Sequence, residues 1–292
     1  MKLLKRKSIL WGTAIGVFAI GGYFGLSFIS GDTYSAENSV SKIETGKLAE
    51  GETLPAKSAF PPVTHIKTPE PLKAIYMTSC VAATPSWREK MTKLVEDTEL
   101  NAMVIDIKDY SGTISIQTEN PIFKENGGKG CRVSDMRQFI AKLHEKEIYT
   151  IGRVTVFQDP YYTKAHPEQA VKRLSDGGVW KDHKGLSFVD VGAKPYWDYI
   201  VALSKESYGM GFDEINFDYI RFPSDGDMKD IDFTLSRGHT KAEALRKFFV
   251  YLRDQLKSTG MIISADLFGM TTTNTDDLNI GQVLENTLPY FD

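Results

Sequence analysis

Apolar and polar positions change period along the chain. From residue 73 onward, short apolar runs of strand length alternate with longer stretches whose apolar residues recur every three or four positions. Residues 73–78, 102–108, 149–157, 214–222 and 261–268 form the short runs, and each predicts a β-strand. Residues 87–100, 134–146, 195–208, 241–257 and 280–288 form the longer ones, and each predicts a helix. Ser86 and Ser134 stand where N-caps belong, and Pro195 stands where a first helical turn tolerates it. Met136, Phe139, Ile140 and Leu143 fall on one helical face.

Five strands, each followed by a helix, predict parallel βα units. Such units build either an open doubly wound sheet or a (β/α)8 barrel. The first strand runs into Tyr76-Met-Thr-Ser-Cys-Val-Ala-Ala83, which lacks the glycine-rich loop that would cradle phosphates and so argues against nucleotide binding. A barrel needs eight strands, and only five precede Asp292. The expectation is an α/β domain over residues 71–292, either an open sheet or a TIM barrel truncated after about five units.

Upstream of residue 71 the pattern is different. Residues 1–7 carry Lys2, Lys5, Arg6 and Lys7, and residues 8–30 carry no charge. An apolar run of that length can cross a bilayer as a helix, with its basic flank in the cytoplasm. A cleaved signal peptide is the competing expectation, and its apolar core is usually shorter. Either way the rest of the chain is exported; the anchor reading makes it a single-pass membrane protein with an extracytoplasmic domain. Residues 31–70, rich in Ser, Thr, Glu, Lys and Pro, predict a flexible linker.

Charge and composition narrow the partners. The chain has 35 basic and 38 acidic residues, so setting aside the four N-terminal cations leaves a balance of −7. Such a domain has no general attraction for nucleic acid. His65, His144, His166, His183 and His239 show no metal-ligand spacing, and neither metal nor cofactor is expected. Export permits a bond between Cys80 and Cys131, but two unpaired thiols are an equally good reading.

The candidate chemistry lies in the alternation within strands. Met103, Ile105 and Ile107 share one face of the second strand; Val104, Asp106 and Lys108 share the other. Arg153 and Thr155 oppose Val154 and Val156 in the third. Asn216 and Asp218 oppose Ile215, Phe217 and Tyr219 in the fourth. Ser264 and Asp266 oppose Ile263, Ala265 and Leu267 in the fifth. The carboxylates fall toward the C-terminal strand ends, where barrel enzymes place their chemistry. Paired carboxylates suit glycoside hydrolysis, with one acting on the anomeric carbon and the other protonating the leaving oxygen. Asp218 and Asp266 are the catalytic candidates. Asp106, Lys108, Arg153, Asn216 and Arg221 are the substrate-binding or charge-tuning candidates. Tyr161 and Trp180 could stack on sugar faces, although such rings more often simply pack.

The stretch Phe212-Asp-Glu-Ile-Asn-Phe-Asp-Tyr-Ile-Arg-Phe-Pro-Ser-Asp225 resembles the hallmark of the family called the putative glycosyl hydrolase domain. Ala102-Met-Val-Ile-Asp-Ile-Lys-Asp109, Ile151-Gly-Arg-Val154 and Ser264-Ala-Asp-Leu-Phe-Gly269 look like its second, third and fifth strand motifs. The resemblance implies a TIM barrel related to α-amylase-like hydrolases, with the strand-four aspartate, here Asp218, as nucleophile. Those relatives carry Glu on strand five, where this chain has Asp266, and family members continue into further strands. The proton donor is thus either Asp266 or a carboxylate beyond Asp292.

The function expected is glycosidic cleavage of a cell-envelope or extracellular polysaccharide. The alternative is a non-catalytic carbohydrate-binding or envelope-scaffold barrel using the same mouth.

Overall fold

The computed structural model describes residues 60–123 and 130–292. The expected cytoplasmic flank 1–7, the anchor 8–30 and the linker as far as residue 59 lie outside the described residues. Among the described residues no helix is long and apolar enough to cross a membrane.

The chain runs β1 (Ala74–Met77), α1 (Ser79–Ala83), α2 (Pro85–Glu96), β2 (Ala102–Lys108), α3 (Met136–His144), β3 (Tyr149–Thr155), α4 (Pro160–Ala165), α5 (Lys194–Met210), β4 (Glu214–Asp218), α6 (Lys241–Leu256), β5 (Ile262–Ala265) and α7 (Leu284–Thr287). All five strands pair in parallel in the order β1-β2-β3-β4-β5. That sequential order is the one successive βα units give when each crossover returns with the same hand.

One face of the sheet carries the core. Met103, Ile105 and Ile107 of β2, Val154 of β3, Ile215 and Phe217 of β4 and Ile263 of β5 are fully buried. They join one apolar cluster with Phe139 and Ile140 of α3, Ile200 and Leu203 of α5 and Phe248 and Leu252 of α6. Gly152 is needed where β3 crosses this layer, since a Cβ there would lie 2.1 Å from Ile107 Cδ1. The α6 N-terminus is closed by a reciprocal capping box: Glu243 N–H donates to Thr240 Oγ1 at 3.2 Å, and Thr240 N–H donates to Glu243 Oε2 at 2.8 Å.

Element ends depart from the pattern for local reasons. Thr78 caps the short α1, so α2 starts at Pro85 after the N-cap Thr84, and Ser86 is inside the helix. Ser134 does not cap α3; Asp135 precedes that helix and its carboxylate receives both Nη groups of Arg88 at 2.8 Å. β4 stops at Asp218 because Tyr219 turns to φ 48°, a left-handed conformation that no strand continues through. The last expected helix shrinks to the four residues of α7 and a following 3₁₀ turn.

The expected linker is also shorter than residue 70. Ile66 N–H donates to Asp213 Oδ1 at 2.7 Å, Thr68 Oγ1 to Tyr149 OH at 3.1 Å, and Arg137 Nε to the Pro61 carbonyl at 3.1 Å. Ile66 packs on Ala102, Tyr149 and Ile151 at the N-terminal end of the strands. Apolar Ile66 thus covers the base of the sheet, and Asp213 satisfies its backbone. Cys80 and Cys131 form a disulfide, closing a span of 51 residues. A cross-link over such a span contributes about 4 kcal/mol in the chain-entropy picture, by restricting the unfolded chain.

Candidate active site

Register explains which polar side chains meet. Across the sheet Asp106 pairs with Arg153, Arg153 with Asn216, and Asn216 with Ser264. These residues form one row on the face opposite the helices. Thr155 pairs with Asp218 one side-chain period nearer the C-terminal ends. Arg153 lies between Asp106 and Asp218 and reaches both.

Its guanidinium donates from Nη1 to Asp106 Oδ1 at 2.7 Å and from Nε to Asp218 Oδ2 at 3.1 Å, and Nη2 also binds Asp218 Oδ2. Asp218 Oδ1 accepts the Tyr219 N–H at 2.6 Å. The kink at Tyr219 that ends β4 therefore also aims a backbone donor at Asp218. Both of its oxygens are fixed, yet its side chain stays 24% exposed to the cavity. Such a preset carboxylate has little conformational freedom left to lose.

Asp106 is 4% exposed and is shared with Tyr76, whose hydroxyl donates to Oδ2 at 2.5 Å. Burial raises the Asp106 pKa, against the hydrogen bond from Tyr76 and the charge of Arg153. Arg153 also lies over the Tyr76 ring, 5.4 Å from its centroid.

Asp266 follows β5 and accepts from Asn216 Nδ2 at 3.3 Å; the same amide donates to Ser264 Oγ at 3.1 Å. Although Asp266 has an exposed edge, desolvation by the surrounding protein raises its pKa. The negative charge of Asp218 raises it further, and Asn216 and Arg153 oppose both. Asn216 Oδ1 is buried with no hydrogen-bond partner. Deeper in, Glu214 accepts from Ser264 Oγ and Tyr149 OH, both at or under 3.1 Å. These groups line one cavity of about 520 Å³ that includes Tyr76, Arg153, Asn216, Asp218 and Asp266. Among the described residues no cluster of His, Cys, Asp or Glu is placed to hold a metal ion.

Residues 74–292 match the family described as a putative glycosyl hydrolase domain. The chain belongs to that family. A hypothetical protein from Ruminiclostridium thermocellum, known from its crystal structure, is 35% identical with a TM-score of 0.60, covering 67% of this chain and 98% of its own. A Flavobacterium johnsoniae chitobiase is 14% identical with a TM-score of 0.49, covering 71% of this chain and 32% of its own. An α-L-fucosidase from Paenibacillus thiaminolyticus is 10% identical with a TM-score of 0.47, covering 66% of this chain and 32% of its own. The chain thus spans about a third of these two longer proteins. No curated protein matches it.

Two expected site residues of this glycosyl hydrolase domain lie elsewhere. Lys108 does not face the mouth. The ladder between β2 and β3 shifts after Asp106, so Lys108 pairs with Val154 and shares its helix-facing side. Its side chain is 0% exposed and reaches Asp159 Oδ2 at 3.0 Å and the Thr155 carbonyl at 2.6 Å. Trp180 is 1% exposed, packs on Phe188 and donates Nε1–H to the Asp227 carbonyl at 2.9 Å. Its ring faces are taken, so it packs and presents no stacking surface. Tyr161 opens α4 and is partly buried. Arg221 lies past β4, with its guanidinium over the rings of Tyr219 and Phe268. Tyr76 joins the site from β1, and its alternation with Ile75 and Met77 is the sequence signal for it.

Proposed function

We propose that the domain is a glycoside hydrolase in which Asp218 is the nucleophile or stabilising carboxylate and Asp266 the proton donor. One observation carries this: two neighbouring carboxylates sit in unlike surroundings. Asp218 is tied to a guanidinium and a backbone N–H. Asp266, just past the end of the next strand, is pushed toward its protonated form by desolvation from the surrounding protein and by the charge of Asp218. Unlike environments are how one site divides acid from nucleophile. Asp266 would protonate the glycosidic oxygen as its bond to the anomeric carbon breaks. Asp218 would bond to, or stabilise, the positive charge developing at that carbon. Arg153, held by Asp106 and Tyr76, keeps Asp218 in place.

A pH profile tests the proton donor. Asp266 must carry its proton to act, so polysaccharide cleavage should fall as pH rises through its raised pKa. Asp266→Asn should slow turnover about 10²–10³-fold and remove that alkaline limb. A variant that keeps both rate and limb assigns the donor to another carboxylate.

The five units fit a (β/α)8 barrel. Among the described residues β1 and β5 each pair on one side only, and further βα units would remove both edges. We also propose that residues 8–30 anchor the domain outside a membrane, with an envelope or extracellular polysaccharide as substrate. The Cys80–Cys131 bond supports this, since disulfides persist in oxidising compartments. A phosphatase that is active only after export, fused after Asp292, should be active and sediment with membranes. Cytosolic, inactive fusion protein would overturn the topology.

A further inference from the structure

A second cavity, of about 340 Å³, opens beside the mouth; Tyr110, Gln158, Phe188, Tyr219 and Arg221 are among its walls. Asp218 lines the larger cavity and the next residue, Tyr219, lines this one. The volume suits a sugar unit, within the usual range for ligand sites.

Arg221 sets its chemistry. The guanidinium lies over two rings, 5.2 Å from the centroid of Tyr219 and 4.7 Å from that of Phe268. Nη1 donates to the Phe222 carbonyl at 3.0 Å and to Ser224 Oγ at 3.1 Å. Among the described residues no carboxylate pairs with it, whereas Arg153 at the same mouth holds two. Burial lowers its pKa, and Tyr219 and the charge of Asp218, which does not bond to it, only partly oppose that shift.

Two carboxylates share the same walls, and neither pairs with Arg221. Asp182 Oδ1 accepts the N–H groups of Lys184 and Leu186 at 2.9 and 2.8 Å. Asp225 faces His183 at 3.6 Å. Lys184 adds a second cation that forms no ion pair among the described residues. Tyr110, 58% exposed, offers an accessible ring.

We propose that this cavity is a subsite for a glycan unit bearing an oxyanion, foremost a uronic acid carboxylate, with Arg221 as its specificity-determining residue. The assignment rests on the glycosidase reading of the adjacent mouth and names its substrate class. A planar guanidinium steered by two rings can present paired N–H groups to a carboxylate, which an ammonium cannot. The domain is acidic overall, so long-range attraction cannot supply the preference; it has to arise at this contact.

The test uses the full chain carrying Asp218→Asn, so that binding is measured apart from turnover. Uronic acid oligosaccharides are titrated against their carboxyl-reduced, uncharged counterparts, with sulfate-ester oligosaccharides as a third arm. The acidic member of at least one pair should bind about tenfold tighter or better. Arg221→Gln should erase that difference, and Arg221→Lys should restore only part of it. Preference for the sulfate esters over both others moves the assignment to that oxyanion and overturns the carboxylate. Equal affinity within every pair, or a preference that survives Arg221→Gln in protein with an unchanged melting temperature, overturns the subsite altogether. The two proposals fail separately. Wild-type protein that binds acidic glycans through Arg221 but cleaves none refutes the hydrolase; equal cleavage of neutral and acidic glycans refutes the subsite.

Discussion

Asp218→Asn should all but abolish glycan cleavage, lowering turnover on the order of 10⁴–10⁶-fold, the range seen when single members of a catalytic triad are removed from another hydrolase. The amide is nearly isosteric and its oxygen can still accept the Tyr219 N–H at the kink. It cannot carry the charge that answers the developing cation at the anomeric carbon. Nor can it hold Arg153, whose Nε and Nη2 both point at Oδ2. Arg153 keeps Asp106, so the row across β2 and β3 should survive and the melting temperature should move little. Turnover on a polysaccharide panel, read alongside thermal unfolding, separates the chemical loss from a structural one. Asp106→Asn is the useful comparison. It alters the orientation of Arg153 without touching the reacting atoms, and its penalty should be much smaller. Full activity in Asp218→Asn would remove this carboxylate from the mechanism.

The placement of Asp218 was readable from sequence because β4 alternates cleanly: Ile215 and Phe217 are fully buried, while Asn216 and Asp218 face the cavity. The same rule placed Asp106 and Arg153, whose strands keep a period of two up to that row. It failed at Lys108, two residues beyond Asp106, because the ladder slips there and the parity reverses. No residue type at that point marks the slip. The rule does not reach Trp180, which lies outside the strands in the long connection between α4 and α5 and follows the commoner packing alternative. That connection is pinned by isolated bridges such as Lys172 to Val179 and Lys181 to Ser187, and these tertiary contacts decide which rings are covered. The disulfide was undecidable for a related reason. Cys80 lies in α1, just after β1, and Cys131 after a long connection, and only the folded sheet brings their Cα atoms to 4.8 Å.

The misread lysine leads to the largest expected stability effect. Lys108→Ala should destabilise the domain by about 4–5 kcal/mol at neutral pH, the upper part of the range for breaking a buried ion pair from one side. Lys108 and Asp159 are both 0% exposed, so solvent screens neither. The ammonium also ties down the carbonyls of Thr155 and Val156, where β3 ends. Asp159 keeps the Tyr162 N–H at 2.8 Å and the Tyr196 hydroxyl at 2.9 Å, but no charge opposes its own. Burial already raises the Asp159 pKa, and Lys108 is the main influence holding it down. Without Lys108 the folded pKa should rise further above its unfolded value. A carboxyl shifted in that direction binds its proton more tightly when folded. Its stabilising contribution is therefore present at low pH and lost as pH climbs through the folded pKa. The deficit of Lys108→Ala relative to wild type should accordingly be small near pH 4 and grow toward pH 8, as measured by urea unfolding across that range. The paired change Lys108→Met with Asp159→Leu removes both charges and should cost far less than either truncation. If Lys108→Ala instead showed a deficit independent of pH, packing rather than charge would be what Lys108 supplies between the sheet and α5.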